Sequence, residues 1–142
     1  MARTRLAVAR RRAQRYAIRS PAPGTIARWG LAAMLLAAGV HKLLDPAAWA
    51  AYVTDWLAPW LVVSPSTFML VNGVLEVGFA ALLFADRYTA VAGLVAGVSL
   101  TATVAYLLVV WATTGQFGDV IARDVGLAGL AWAVSVDAFR PD

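Results

Sequence analysis

Cysteine is absent from this 142-residue chain, and histidine and lysine occur once each, as His41 and Lys42. Without cysteine there are no disulfides, no thiolate metal sites and no CxxC redox chemistry. A single histidine excludes bis-histidine haem ligation within one chain. There is no Walker loop, dinucleotide fingerprint or HExxH, and one histidine gives no convincing Ser-His-Asp set. Charge is also scarce. Only 14% of residues are charged, against about 25% in soluble domains. No acid precedes Asp45, yet Arg3, Arg5, Arg10, Arg11, Arg12, Arg15, Arg19 and Arg28 all do.

Hydrophobic residues make up 61% of the chain, above the roughly 45–50% of soluble proteins, and this places it in the membrane class. An arginine-rich segment beside an apolar helix marks the cytoplasmic side of a membrane. Nucleic-acid binding is the rival explanation of the arginines, and the lipid-compatible remainder of the chain argues against it. Residues 1–24 therefore read as a basic cytoplasmic tail lying on anionic lipid, and 25–139 as the membrane domain. A cleaved secretory signal is the alternative for the first apolar run, but no clean small-x-small site follows it.

Four apolar runs predict four membrane spans, over about 26–44, 66–84, 89–111 and 120–139. The fold expected is all-α: an integral membrane four-helix up-down bundle, with amino and carboxyl termini cytoplasmic. Asp45-Pro46 is a helix start, and Trp49, Tyr52, Val53, Trp56 and Trp60 recur every three or four residues. This predicts a short interfacial helix between spans one and two, closed by Pro59. Its aromatics serve as a headgroup anchor or as the wall of a pocket for an apolar ring. Gly93 and Gly97 form a GxxxG in the third span, read as close packing.

Polar residues concentrate at one level. Glu76 interrupts an apolar run, where a charge facing lipid costs at least about 2.5–3.5 kcal/mol. On the inward-running second span Asn72 lies about 9 Å down and Glu76 about 15 Å down. They are four apart and share a face. His41, Lys42, Tyr106, Arg123 and Asp124 fall in the same outer half. Helical Cβ atoms tilt toward the helix amino terminus, so Lys42 and Glu76 point toward each other's level. Two bases (Lys42, Arg123) and two acids (Glu76, Asp124) balance, as buried charges must.

Two explanations stay open. The four residues form an ion-pair network that sets helix register. Or the network also binds a polar headgroup, with Glu76 as proton acceptor and Lys42, Asn72, Tyr106, Arg123, Asp124 and His41 around it. His41 reads alternatively as a plain interfacial residue. Arg123 alternatively snorkels to the surface, and Asp124 alternatively serves its helix amino terminus.

The segments AGVHKLLDP (38–46), NGVLEVGFAALL (72–83) and IARDVGL (121–127) together resemble DoxX-type membrane proteins. The MauE branch of the same superfamily is the near rival. The resemblance implies a four-helix protein of the prokaryotic cell membrane. It also implies a subunit or accessory of a quinone-linked redox system, since one DoxX-related group forms part of a thiosulfate:quinone oxidoreductase. Lys42, Glu76, Arg123 and Asp124 match the family positions. Quinone is the cofactor left open, with a membrane or extracytoplasmic oxidoreductase as partner beside the lipid bilayer. Homo-oligomerisation stays open. A non-catalytic scaffold whose ion pairs only set helix packing is the alternative function.

Overall fold

The structure, a computed structural model, describes residues 11, 14, 16–18 and 20–140. Most of the basic segment expected over 1–24 lies outside the described residues. Among the described residues the regular structure is entirely helical. Four helices are long: α1 (Pro23–Leu44), α3 (Pro65–Phe84), α4 (Thr89–Thr114) and α5 (Gly118–Ala138). A five-residue helix, α2 (Pro46–Ala50), follows α1, and a single 3-10 turn spans Ala58–Trp60.

Local chemistry explains the boundaries. Pro23, Pro46 and Pro65 each open a helix, where a missing N–H costs nothing. The Ser64 hydroxyl accepts from the Thr67 N–H at 3.2 Å, and the Asp45 carboxylate accepts from the Ala48 N–H at 3.1 Å. Gly115, with φ +74°, closes α4 in the left-handed conformation that glycine adopts without strain. Helices α1, α3 and α4 are long and apolar enough to cross a membrane. The fourth expected span, α5, falls outside that set, because Asp119, Arg123, Asp124 and Asp137 lie along its 21 residues.

The long helices meet in two intimate pairs. Helices α1 and α3 cross at Gly39 and Gly73 and run in opposite directions. A Cβ on Gly39 would stand 2.8 Å from the Gly73 carbonyl oxygen, and one on Gly73 would stand 2.9 Å from that of Gly39. Helices α4 and α5 close on each other where Gly93 lies under Ser135 and Gly97 under the Trp132 indole. The GxxxG thus packs a neighbouring helix. Trp132 also donates its indole N–H to the Thr101 hydroxyl at 3.0 Å. All four long helices share one buried cluster: Leu31, Ala32, Leu35, Ala80, Leu83, Ala92, Ala96, Ala131 and Val134. It sits toward the end of the molecule that carries the 85–88 turn. Toward the opposite end a smaller cluster of Leu107, Val120 and Ile121 packs with Tyr52, Val104, Tyr106 and Phe117.

The α1–α3 crossing makes a direct expectation. Gly39→Val places a branched side chain against backbone and costs about 1–3 kcal/mol. Gly126→Ala adds a methyl where nothing lies within 4 Å. Thermal unfolding of the purified protein in detergent should fall clearly for the first and stay near wild type for the second.

Candidate functional site

The α1–α3 crossing sets the site. Each glycine faces the stem of the other helix's charged residue. The Gly39 Cβ position is 3.0 Å from Glu76 Cβ, and the Gly73 position is 3.1 Å from Lys42 Cβ. The two glycines therefore make room for the two side chains, which meet in an ion pair between Lys42 Nζ and Glu76 Oε1. Their side chains are 10% and 22% exposed, so the pair is largely withdrawn from the surface. Glu76 Oε2 is buried and has no hydrogen-bond partner among the described residues.

Aromatic groups cover the pair. Lys42 Nζ stands 4.3 Å from the centre of the Trp49 ring, within cation–π range. Trp49 donates its indole N–H to His41 Nδ1 at 2.7 Å. That bond requires His41 Nδ1 to carry a free lone pair, so a neutral ring holds its proton on Nε2. Trp49 continues to Tyr52, with ring centres 6.1 Å apart, and Tyr52 to Phe117 at 5.0 Å.

Tyr106 anchors the segment that carries these rings. Its phenol donates to the Tyr52 carbonyl at 2.8 Å and accepts from the Thr54 N–H at 3.0 Å. It also shares a 2.9 Å hydrogen bond with the Thr54 hydroxyl. One donor and two acceptor positions are then all in use. This explains why the expected interfacial helix is much shorter than the aromatic spacing suggests. Helix α2 stops at Ala50, and Tyr106 takes over backbone groups that a continuing helix would have bonded itself. Trp49, Tyr52, Trp56 and Trp60 consequently do not form one helical stripe. Trp56 packs against Tyr106 at 5.4 Å, while Trp60 is 82% exposed.

The four-member charge network divides into two pairs. Arg123 Nε bonds Asp124 Oδ1 at 2.9 Å, a pair of neighbours along α5. Asp124 is buried and Arg123 is 53% exposed along its side chain. Neither forms an ion pair with Lys42 or Glu76 among the described residues. The physical reason lies in the packing. Near the ion pair, Tyr52 and its segment stand against Tyr106 and Phe117, between α1 and the start of α5. Contacts from α1 to α5 come at the other end, where Gly30 meets Leu130 and Gly24 meets Asp137. Asn72 also stays apart, donating to the Phe68 carbonyl of its own helix at 2.9 Å.

Arg28 escaped the sequence reading, which grouped it with the basic flank. It is 9% exposed. Its guanidinium bonds the carbonyl of Leu83, reaches that of Phe84 at 3.4 Å and pairs with Asp86 at 3.4 Å. A cation here adds a charged donor to the last carbonyls of α3, where Leu83 otherwise has only the turn N–H of Asp86 at 3.3 Å and that of Ala85, and complements the helix dipole. The available signal was position: Arg28 lies within the first apolar run, apart from the other arginines.

A family model described as DoxX matches residues 24–111. The match takes in His41, Lys42, Trp49, Glu76 and Tyr106 and ends before Arg123 and Asp124. No curated protein and no solved structure matches the chain.

Tyr106→Phe keeps the ring and removes the hydroxyl. The Thr54 N–H and Tyr52 carbonyl then lose their partner, at about 1–3 kcal/mol where they stay buried. Hydrogen exchange of the 52–58 amides should quicken at least about tenfold, with α1 and α3 unchanged.

Proposed function

Given that the chain belongs to the DoxX family of membrane proteins, we propose that it is a subunit or accessory of a quinone-linked redox system in a prokaryotic cell membrane. Its site is the shielded pair Lys42–Glu76 under Trp49. The observation that carries this reading is Glu76 Oε2, a buried acceptor left open beside a cation and an aromatic face. These groups fit a quinone-class headgroup. The carboxylate takes a hydroxyl, the ammonium polarises an oxygen, and the indole lies against a ring.

When bound, such a headgroup supplies two-electron chemistry coupled to protons. The chain's own residues hold it and keep bulk water from it, and Glu76 accepts a proton at Oε2. Electrons pass to or from a redox cofactor on a partner protein. Tyr106, by pinning the segment that bears Trp49, positions the covering ring. Arg123 and Asp124 serve as a separate pair at the head of α5.

The antiparallel pairs support a four-span up-down bundle in which α5 is the fourth span, its charges near the two faces or paired. The arginine-rich segment over 3–28 supports a cytoplasmic amino terminus by the positive-inside rule. Residues 45–64 and the 115–117 turn then lie outside, and the 85–88 turn and carboxyl terminus inside. The absence of cysteine makes this simple to test. In intact cells a membrane-impermeant maleimide should label Gln116→Cys and spare Arg87→Cys; the reverse pattern overturns the orientation.

One observation favours a second reading. Glu76 already has a partner on the neighbouring helix, which is what a purely register-setting pair in a scaffold requires. Hydroquinone oxidation by the complex that co-purifies with the tagged chain from native membranes, the direction in which the ligand hydroxyl gives up its proton, separates the two. Glu76→Gln should lower the rate about 100-fold or more if Glu76 is the proton acceptor. An unchanged rate, with assembly intact, leaves the scaffold.

A further inference from the structure

We infer that the outer site is selective for the hydroxyl-bearing, reduced form of its ligand: a hydroquinone or related phenol, with its O–H on Glu76 Oε2. This rests on the quinone-class reading above and adds the redox state that the site prefers.

The argument is one of donor and acceptor supply. A carboxylate only accepts hydrogen bonds, with about two places on each oxygen. Oε1 receives the Lys42 ammonium, and Oε2 receives nothing among the described residues. The side chains around it direct their observed hydrogen bonds to other atoms. Lys42 is held between Oε1 and the Trp49 ring face. The nearest indole N–H, that of Trp49, is committed to His41. Asn72, four residues away on the same helix, has its amide N–H on the Phe68 carbonyl. The Tyr106 hydroxyl donates to Tyr52. None of these side chains donates to Oε2 among the described residues, and a hydroxyl from outside the chain supplies the missing donor.

A hydroquinone brings that donor on an aromatic ring, and Trp49 offers a ring face beside it. A quinone brings only carbonyl acceptors. Against Oε2 these would set lone pair against lone pair in a poorly solvated place, where a mismatch is not relieved by water. Methylating both hydroxyls of the hydroquinone leaves size and apolarity in place and removes the donors. The ether therefore isolates the hydrogen bond from ring packing.

The test uses the full chain in lipid nanodiscs, anaerobically, with three small probes: tetramethyl-1,4-hydroquinone, the corresponding quinone and the hydroquinone dimethyl ether. Binding is read by titration calorimetry. The hydroquinone should bind at least about tenfold tighter than either other probe, the worth of one hydrogen bond to a charged acceptor. That preference should shrink in Glu76→Gln and in the double variant Lys42→Gln/Glu76→Gln. The double variant removes both charges together and guards against failure to fold. Equal affinity for all three probes, weakened alike by the variants, overturns the selectivity and leaves the quinone-class site standing. Tighter binding of the quinone also overturns it, because Glu76 would then be the donor. Saturable binding of none, or binding indifferent to both variants, overturns the site and the inference together.

Discussion

The backbone contact between α1 and α3 at Gly39 and Gly73 governs the rest of the structure. Side chains at either position would hold the helices apart. Their absence lets Lys42 and Glu76, each three residues along from its own glycine, stand across from the opposite glycine and join. Small residues that permit close helix approach are a common device in membranes, where lipid offers no hydrophobic drive for helix association. Here the same two residues also create the volume into which a charged pair folds. Packing and electrostatics at the site are one constraint.

The polar groups sort to opposite ends of the long helices. At one end Arg28 binds the last carbonyls of α3 and the Asp86 side chain. At the other, Lys42 and Glu76 pair beneath an aromatic cover. Between them lies the apolar cluster shared by all four long helices. The Arg28 cluster has its needs met by backbone and a surface carboxylate and reads as structural. The Lys42–Glu76 pair differs in keeping one buried oxygen without a partner among the described residues.

Much of this was legible beforehand. Long apolar runs specify helices strongly, and the observed long helices end within three residues of the expected limits. The Lys42–Glu76 contact followed from depth and from the tilt of Cβ atoms along each helix. Depth is a one-dimensional coordinate, however. It ranked Arg123 and Asp124 at the same level as Glu76 but carried no information on which helix would stand beside which. The three-to-four spacing of Trp49, Tyr52, Trp56 and Trp60 suggested a continuous helix for a similar reason. What interrupts it is a phenol 52 positions away from Thr54, and local periodicity cannot register so distant a partner. Asn72 shares a face with Glu76, yet a nearby carbonyl of its own helix captured its amide.

That distant phenol has a consequence for biogenesis. The segment joining α1 and α3 owes its shape to Tyr106, which belongs to a helix made later. As the ribosome delivers the chain, α1 and α3 are complete while their connection still has open backbone groups. Only after α4 is made can the Tyr52 carbonyl and the Thr54 N–H meet the Tyr106 hydroxyl. A truncated translation product ending before Tyr106 would leave those two backbone groups without this partner, so the final shape of the connection is coupled to late synthesis.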